Sequence, residues 1–189
     1  LEPTEREVSV LFADMVGFST RTQNMHPREV AAMLTQFFSD LVEIVFEYEG
    51  TLDKFIGDAV MAIFGAPNDQ DDHAERAVRC AVDMQQCMDR MNREAAPGQH
   101  QVQVRIGINT GLAVSGDIGS NRRLEYTVLG NTVNVASRLE TYVSSPGEVI
   151  IGPQTYEAVR DGIPCTPLGP QMLKGISEPV HAYRVDWSS

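Results

Sequence analysis

The stretch that decides the fold is Leu52-Asp53-Lys54-Phe55-Ile56-Gly57-Asp58-Ala59-Val60-Met61-Ala62-Ile63-Phe64-Gly65. Its apolar residues favour two β-strands, and Gly57-Asp58 is a pair typical of the tight turn in a hairpin. One cation, Lys54, and one anion, Asp58, lie beside that turn in otherwise apolar sequence. Charged side chains are rarely placed beside core strands unless they are paired or used. The hairpin is therefore a candidate functional element.

A second apolar run also ends in a carboxylate. Residues 7–14 favour a strand in the middle of a sheet, because the segment is nearly continuous in apolar residues before Asp14. Two carboxylates at the ends of separate strands could share a divalent metal ion. Alternatively, Asp14 caps the following helix and Asp58 only forms its turn. Spacing alone does not separate these two interpretations.

Length and composition indicate one globular domain. The chain has 189 residues, of which 42% are hydrophobic and 22% charged, and this suits a full hydrophobic core. A formal net charge of −11 disfavours nonspecific binding of DNA or RNA, whereas a nucleotide can still bind through Mg²⁺ and a few cations. Because the chain starts at Leu1 rather than Met, we interpret residues 1–189 as one domain of a longer multidomain protein.

Cysteine usage and hydropathy favour a cytoplasmic setting. The cysteines Cys80, Cys87 and Cys165 contain no Cys-x-x-Cys motif, so neither a disulfide framework nor a zinc site is indicated. No run reaches transmembrane length, and the N-terminus lacks a signal-peptide pattern. We therefore expect no membrane contact from this domain, although the longer protein could be membrane-attached.

Strands alternate with helices along the chain. Pro27 opens a helix whose apolar residues follow the helical period until Gly50, and residues 101–108 alternate as a half-buried strand does. The other expected elements are helices over 69–93, 130–142 and 153–161, strands over 126–129, 148–151 and 179–185, a turn over 116–121, an irregular segment over 162–171 and a frayed segment over 1–6. This order predicts an α/β or α+β fold, a sandwich whose helices cover one sheet.

Three further positions have two interpretations each. Backbone N–H groups around Gly17 could bind phosphate oxygens, or the segment is a plain connection. His73 could be a metal ligand, but its acidic surroundings favour helix capping. Asn134 and Arg138 share a helix face, and Arg138 could alternatively pair with Glu140 or another surface acid.

Four segments together resemble the motifs of class III nucleotidyl cyclase catalytic domains. Residues 12–19 (FADMVGFS) and 55–58 (FIGD) resemble the two metal motifs. Residues 125–140 (EYTVLGNTVNVASRLE) are similar to the long signature that carries the base-recognition and transition-state residues. Residues 173–175 and 178–180 resemble the C-terminal phosphate motif. The segments occur in the expected order and span essentially the whole chain.

The resemblance implies a fold and an assembly. The fold is a ferredoxin-like βαββαβ core with extra C-terminal strands and a helix. The assembly is a head-to-tail homodimer with its active sites at the interface. Asp14 and Asp58 of one subunit would hold two Mg²⁺ or Mn²⁺ ions. In a homodimer, Lys54 and Asp58 would then serve different sites although they are neighbours in sequence.

The resemblance also implies the reaction, which is cyclisation of ATP to 3′,5′-cyclic AMP and pyrophosphate. One metal lowers the pKa of the ribose 3′-hydroxyl that attacks the α-phosphorus, and a second neutralises the β- and γ-phosphates. Asn134 and Arg138 of the other subunit would orient and stabilise the reacting centre. Loss of a charge-stabilising donor typically costs on the order of 10² to 10³ in rate. Lys174 and the backbone of Val16, Gly17 and Phe18 would contact phosphates.

Base choice would rest on Lys54 and Thr127. A lysine donates hydrogen bonds and cannot accept them, so Lys54 favours the N1 acceptor of adenine over the N1–H of guanine. The Thr127 hydroxyl can accept from the adenine amino group. Guanylyl members of the family typically place Glu and Cys at these positions. Threonine marks the subgroup called class IIIb, many of whose members are stimulated by bicarbonate, and we expect the same here.

Two alternatives stay open at this point. One is a guanylyl or relaxed purine cyclase, and the other is a degenerate cyclase domain that binds nucleotide without catalysis. Degenerate copies usually lose a metal Asp, the Asn or the Arg, whereas this chain keeps Asp14, Asp58, Asn134 and Arg138.

Overall fold

The described part of the chain, residues 1–17, 22–94 and 102–188 of a computed structural model, forms eight β-strands and four α-helices. In chain order these are β1 (Thr4–Val16), α1 (Pro27–Glu47), β2 (Thr51–Ile56), β3 (Ala59–Phe64), α2 (His73–Glu94), β4 (Gln103–Ser120), β5 (Arg123–Leu129), α3 (Asn131–Arg138), β6 (Val149–Ile151), α4 (Pro153–Val159), β7 (Cys165–Gln171) and β8 (Val180–Val185). A π-helical turn, Leu139–Val143, directly follows α3.

All eight strands belong to one sheet with the order β2-β3-β1-β4-β6-β8-β7, and β5 pairs with β4 outside this path. The first six elements form a βαββαβ unit in which β1 is antiparallel to both β3 and β4. This is the ferredoxin-like core, so the predicted α+β fold is confirmed. The C-terminal elements extend the sheet through β6, which is parallel to β4.

Strand β1 is covered on both of its faces. Leu11, Ala13 and Met15 pack into the larger core with α1 and α2, whereas Val10 and Phe12 pack on the opposite face against residues of β3, β5 and α3. Since alternate residues of a strand point to opposite faces, burial on both sides requires the nearly continuous apolar run seen in the sequence. The prediction of a central strand is confirmed.

Two segments are strands where the sequence indicated otherwise. The segment 162–171, expected to be irregular, contains β7, and the turn expected over 116–121 is mostly strand because β4 continues to Ser120. Strand β7 lies at the edge of the sheet, where Pro167 and Pro170 are tolerated because an edge strand leaves some N–H groups unpaired. The glycines of 116–121 pair with β5, with Gly116 opposite Thr127.

The N-terminal segment and His73 also differ from expectation. Strand β1 starts at Thr4, which pairs with Ser115, so only the first three residues precede it. His73 is buried at the start of α2, and its Nδ1 lies 2.7 Å from Ser9 Oγ. His73 Nε2 lies 3.1 Å from Glu7 Oε1. The ring therefore links α2 to β1, a role that neither capping nor metal binding describes.

Across the described ranges, no helix combines the length and apolar content needed to cross a bilayer.

Candidate active site

The turn between β2 and β3 is fixed beside the end of β1. The Met15 N–H donates to the Asp58 carbonyl at 3.2 Å, and Asp14 pairs with Ala59 in the sheet. Gly57 holds the turn with a φ of 59°, where another residue would be strained. The two predicted metal ligands, Asp14 and Asp58, are thereby brought together from separate strands.

Asp14 lies in a crowded electrostatic environment. Its side chain is 17% exposed, and Arg105 Nη2 lies 3.1 Å from its Oδ2. Burial and the neighbouring Asp58 raise the pKa of Asp14 to about 6, although Arg105 opposes this shift. Asp14 Oδ1 is buried and has no hydrogen-bond partner within the described residues. Two acids are thus held close together at a partly buried position with one unsatisfied oxygen.

A third acid, Glu140, lies in the π-helical turn, an irregularity that often occurs at functional sites. Its side chain is 6% exposed, and its Oε2 lies 3.5 Å from Arg105 Nη2. Burial, with a smaller effect from Asp14, raises the pKa of Glu140 to about 8. Arg105 is therefore a cation shared by two carboxyl groups. The sequence pattern indicates for Glu140 only a possible pairing with Arg138, and it indicates no functional role for Arg105.

The donor set fits a divalent cation of the magnesium type. Within the described ranges, no three or more His, Cys, Asp or Glu side chains form a group that could hold a metal. Mg²⁺, however, commonly binds through one or two carboxylates together with water and substrate phosphates. Asp14 and Asp58 provide these two carboxylates, and the unpartnered Asp14 Oδ1 is an atom that such a cation would satisfy.

A second group of residues forms where side chains of β2 and β5 meet. Lys54 Nζ lies 3.2 Å from Thr127 Oγ1, so the two predicted base-recognition residues are in contact within one chain. The Thr127 hydroxyl donates to Asp53 Oδ2 at 2.6 Å, and Lys54 Nζ lies 3.5 Å from Asp53 Oδ1. The Asp53 side chain is only 1% exposed. The sequence pattern indicates no functional role for Asp53.

A third group joins α3 to the turn after β7. Arg138 Nε donates to the Lys174 carbonyl at 2.9 Å, and Asn134 is exposed one turn earlier on α3. The alternative pairing of Arg138 with Glu140 is wrong, because Glu140 faces Arg105. The Lys174 side chain is exposed.

The proposed phosphate segment is described only in part. Val16 is the last residue of β1, and Gly17 follows with a φ of 72°, in the left-handed region. The prediction for Phe18 falls outside the described residues. We call Asp14, Asp58, Arg105 and Glu140 the acid group, Asp53, Lys54 and Thr127 the Lys54 group, and Asn134, Arg138 and Lys174 the Arg138 group. Across the described part of the chain, no side-chain hydrogen bond or ion pair joins these three groups to one another.

Comparisons of sequence identify relatives along almost the whole chain. Residues 2–186 match the family model described as adenylate and guanylate cyclase catalytic domain. Adenylate cyclase 1 of Rhizobium meliloti (strain 1021) is 37% identical over 182 residues. This similarity covers 95% of the present chain and 27% of the relative, so the chain spans about a quarter of that protein's length.

Comparisons of structure give the same grouping. The adenylyl cyclase CyaB from P. aeruginosa has a TM-score of 0.94 and 35% identity, with 100% of this chain and 98% of that chain covered. The guanylyl cyclase Cya2 has a TM-score of 0.87 and 34% identity, with 98% of this chain and 94% of that chain covered. Proteins named for either base resemble this chain closely, so overall similarity does not distinguish ATP from GTP as the substrate.

Proposed function

Because this chain belongs to the family of adenylate and guanylate cyclase catalytic domains, we propose that it converts ATP into 3′,5′-cyclic AMP and pyrophosphate. The observation that carries the choice of ATP is the contact between Lys54 Nζ and Thr127 Oγ1 at 3.2 Å. A lysine can donate to adenine N1, and the threonine oxygen can accept from the adenine amino group. In guanine, the N1–H donor would face the Lys54 donor, and the O6 acceptor would face the Thr127 acceptor, so neither hydrogen bond could form.

The acid group is assigned to the metal ions that cyclase domains of this class use. We assign two Mg²⁺ or Mn²⁺ ions to Asp14 and Asp58, because their carboxylates lie together and one oxygen lacks a partner. When bound, such ions favour ionisation of the ribose 3′-hydroxyl and offset the charge of the phosphates. The role of the chain itself is to hold the two carboxylates in place. The β2–β3 turn positions Asp58, and Arg105 binds Asp14.

The remaining groups are assigned to the reacting phosphates. The 3′-oxygen forms a bond to the α-phosphorus while the bond from that phosphorus to the bridging oxygen breaks, and pyrophosphate leaves. Asn134 and Arg138 would orient the ribose and stabilise the charge on the α-phosphate oxygens. Lys174 and the backbone of Val16, Gly17 and Phe18 would contact the other phosphates. The bond from Arg138 to the Lys174 carbonyl supports a shared role for these two residues.

We assign the complete active site to the interface of a head-to-tail homodimer. Large apolar side chains are exposed on β2, β4 and β5, which are the strands that carry or flank the Lys54 group. These side chains are Phe55, Ile56, Leu112, Val114, Leu124 and Leu129. A second chain would bury this apolar surface.

The experiment that tests the activity is product analysis with purified protein. The chain is incubated with Mn²⁺ and either ATP or GTP, and the cyclic nucleotides are quantified by mass spectrometry. We expect cyclic AMP from ATP and little cyclic GMP from GTP. Equal turnover of both nucleotides would favour a relaxed purine cyclase. No product from either nucleotide, at concentrations where dimers are shown to form, would favour a degenerate nucleotide-binding domain.

Bicarbonate stimulation stays a prediction that rests on Thr127 alone. The test is to add bicarbonate at fixed pH and measure the rate of cyclic AMP formation. An active enzyme whose rate is indifferent to bicarbonate would remove this part of the proposal and leave the rest intact.

A further inference from the structure

We propose that Asp53 determines the base specificity of this site by fixing the direction of the Thr127 hydroxyl. With its hydrogen directed at Asp53, Thr127 can accept a hydrogen bond from the substrate but cannot donate one. Asp53 is thus a positioning residue that acts through Thr127. This inference rests on the proposed function, in which Lys54 and Thr127 recognise the base.

The backbone of β2 explains how Asp53 reaches Thr127. The pairing of β2 with β3 shifts register between Leu52 and Lys54, so Asp53 lies at a β-bulge. Adjacent residues of a regular strand point to opposite faces, whereas a bulge redirects a side chain. Asp53 and Lys54, although adjacent in sequence, consequently both contact Thr127.

Counting hydrogens at the Thr127 hydroxyl shows the consequence. A hydroxyl has one hydrogen and two acceptor lone pairs. The hydrogen goes to Asp53 Oδ2 at 2.6 Å, a short bond typical of a charged acceptor, and Lys54 Nζ donates to one lone pair at 3.2 Å. One lone pair is left for the substrate. Only a donor on the base can use it.

The two purines differ in this respect at position 6. Adenine carries an amino donor there, whereas guanine carries the acceptor O6. The remaining lone pair of Thr127 therefore matches adenine and opposes guanine. A threonine without a fixed partner would not discriminate, because its hydroxyl rotates and can donate or accept. Discrimination at this position thus requires the buried carboxylate of Asp53, in addition to the hydroxyl of Thr127.

The test replaces Asp53 by a residue of nearly the same shape. In Asp53→Asn, the amide can donate to Thr127, which frees the hydroxyl hydrogen for guanine O6. Leaving a buried polar group unpaired is costly, so relief of that mismatch should lower the ATP:GTP ratio of kcat/KM by about 5-fold or more. The change should come mainly from faster use of GTP. Asp53→Glu keeps a carboxylate and should retain more of the preference for ATP than Asp53→Asn.

Two further comparisons make the test specific for Thr127. In a Thr127→Val background, which lacks the hydroxyl, Asp53→Asn should cause no further change in the ATP:GTP ratio. Asp83→Asn is the matched control, because Asp83 also accepts a hydrogen bond from a hydroxyl, that of Tyr48, but lies on α2. It should leave the ratio unchanged. Thermal unfolding verifies that each variant is folded, and Asp53→Ala replaces Asp53→Asn if the latter does not fold.

Equilibrium binding separates this inference from the cyclase assignment. ATP and GTP compete with a fluorescent ATP analogue in the presence of Mn²⁺, for every variant. If the wild-type chain forms no cyclic nucleotide but prefers ATP in binding, and Asp53→Asn removes that preference, the cyclase assignment fails and the role of Asp53 stands. If cyclic AMP is formed and folded Asp53→Asn keeps the wild-type ratio in both assays, the role of Asp53 fails and the cyclase assignment stands. Binding of neither nucleotide overturns both.

Discussion

Asp14 interacts with every other member of the acid group. It is close to Asp58, it is bound by Arg105, and it raises the pKa of Glu140. A partly buried carboxylate close to other acids is costly unless a nearby cation offsets its negative charge. The single guanidinium of Arg105 serves two carboxyl groups and leaves one Asp14 oxygen unpartnered. The unpartnered Asp14 oxygen is an atom that a bound cation would satisfy, and this supports the metal assignment.

The first prediction concerns the two proposed metal ligands. Asp14→Asn and Asp58→Asn should each reduce the rate of cyclic AMP formation by at least about 10²-fold, since each removes one of the two carboxylates assigned to the metal ions. Both variants should unfold at temperatures close to the wild-type value, because the amide keeps the shape of the side chain. Rates are measured with Mn²⁺ and ATP, and folding by circular dichroism. Asp161→Asn, at an exposed position, is the control. A fully active variant at either position would refute the two-carboxylate assignment.

The second prediction concerns Arg105. Replacing it by methionine leaves the carboxyl groups of Asp14 and Glu140 without their cation, and the metal-free chain should lose about 1–3 kcal/mol of unfolding free energy. Mn²⁺ should then raise the melting temperature of Arg105→Met more than that of the wild type, because the ion replaces the missing charge. Melting curves are recorded in EDTA and in Mn²⁺. Arg160→Met removes a cation from an exposed ion pair with Glu157 and serves as the control. Equal Mn²⁺ effects in Arg105→Met and wild type would contradict this account.

At the scale of elements, the site depends on how closely α3 and the π-helical turn pack on β4. Gly107 of β4 faces both of them, and a Cβ there would lie 2.5 Å from the Glu140 nitrogen and 2.8 Å from the Ala136 carbonyl oxygen. Such distances are too short for any side chain. The absence of a Cβ at this position is what lets the helix carrying Asn134 and Arg138 sit directly on the strand.

The third prediction follows from this packing. Gly107→Ala should cost about 1–3 kcal/mol of unfolding free energy, because backbone atoms have to move to admit the methyl group. Displacement of α3 should also lower the rate of cyclic AMP formation, through the positions of Asn134 and Arg138. Urea unfolding and initial rates measure the two effects. Gly162→Ala is the matched control, since a Cβ there meets nothing within 4 Å and no left-handed φ is required. If the two substitutions behaved alike, close packing at Gly107 would not be the cause.

The elements also show what sequence patterns could predict. Strand β1 and the β2–β3 hairpin were predictable, because apolar runs and a Gly-Asp turn have local causes. Strand β7 was not, since its prolines are typical of loops and only an edge position makes them compatible with a strand.

The candidate site shows a similar division. The residue pattern alone indicates Asp14, Asp58 and Lys54 as candidate site residues, and the resemblance adds Thr127. The structure brings Asp14 together with Asp58, and Lys54 together with Thr127. The roles of Asp53 and Glu140 could not be predicted, because one depends on a β-bulge and the other on a π-helical turn. Neither irregularity has a periodic pattern in the sequence. Both arise from contacts between distant segments.

At the scale of the whole molecule, the fourth prediction tests the shared site. Chains with Asp58→Ala and chains with Arg138→Ala should each be inactive alone, and mixing them should restore activity. Random pairing makes half of the dimers mixed, with one intact site in each, so about a quarter of the wild-type sites return. Rates of cyclic AMP formation are measured after co-refolding or co-expression of the two chains.

A control variant separates complementation from general stabilisation by dimers. Mixing Asp58→Ala with Asp14→Ala places both defects in the acid group, so no combination of these chains contains an intact site. This mixture should stay inactive. If the first mixture is also inactive although mixed dimers are shown to form, the active site does not combine residues of two chains in the proposed way.

The β2–β3 hairpin has a mechanical consequence in such a dimer. It carries Lys54 on one strand and Asp58 in its turn, and in the proposed assembly these residues belong to two different active sites. A shift of this hairpin when ATP binds in one site would therefore also move a metal ligand of the other site. The two sites would then not work independently, and the rate would depart from a simple hyperbolic dependence on ATP concentration.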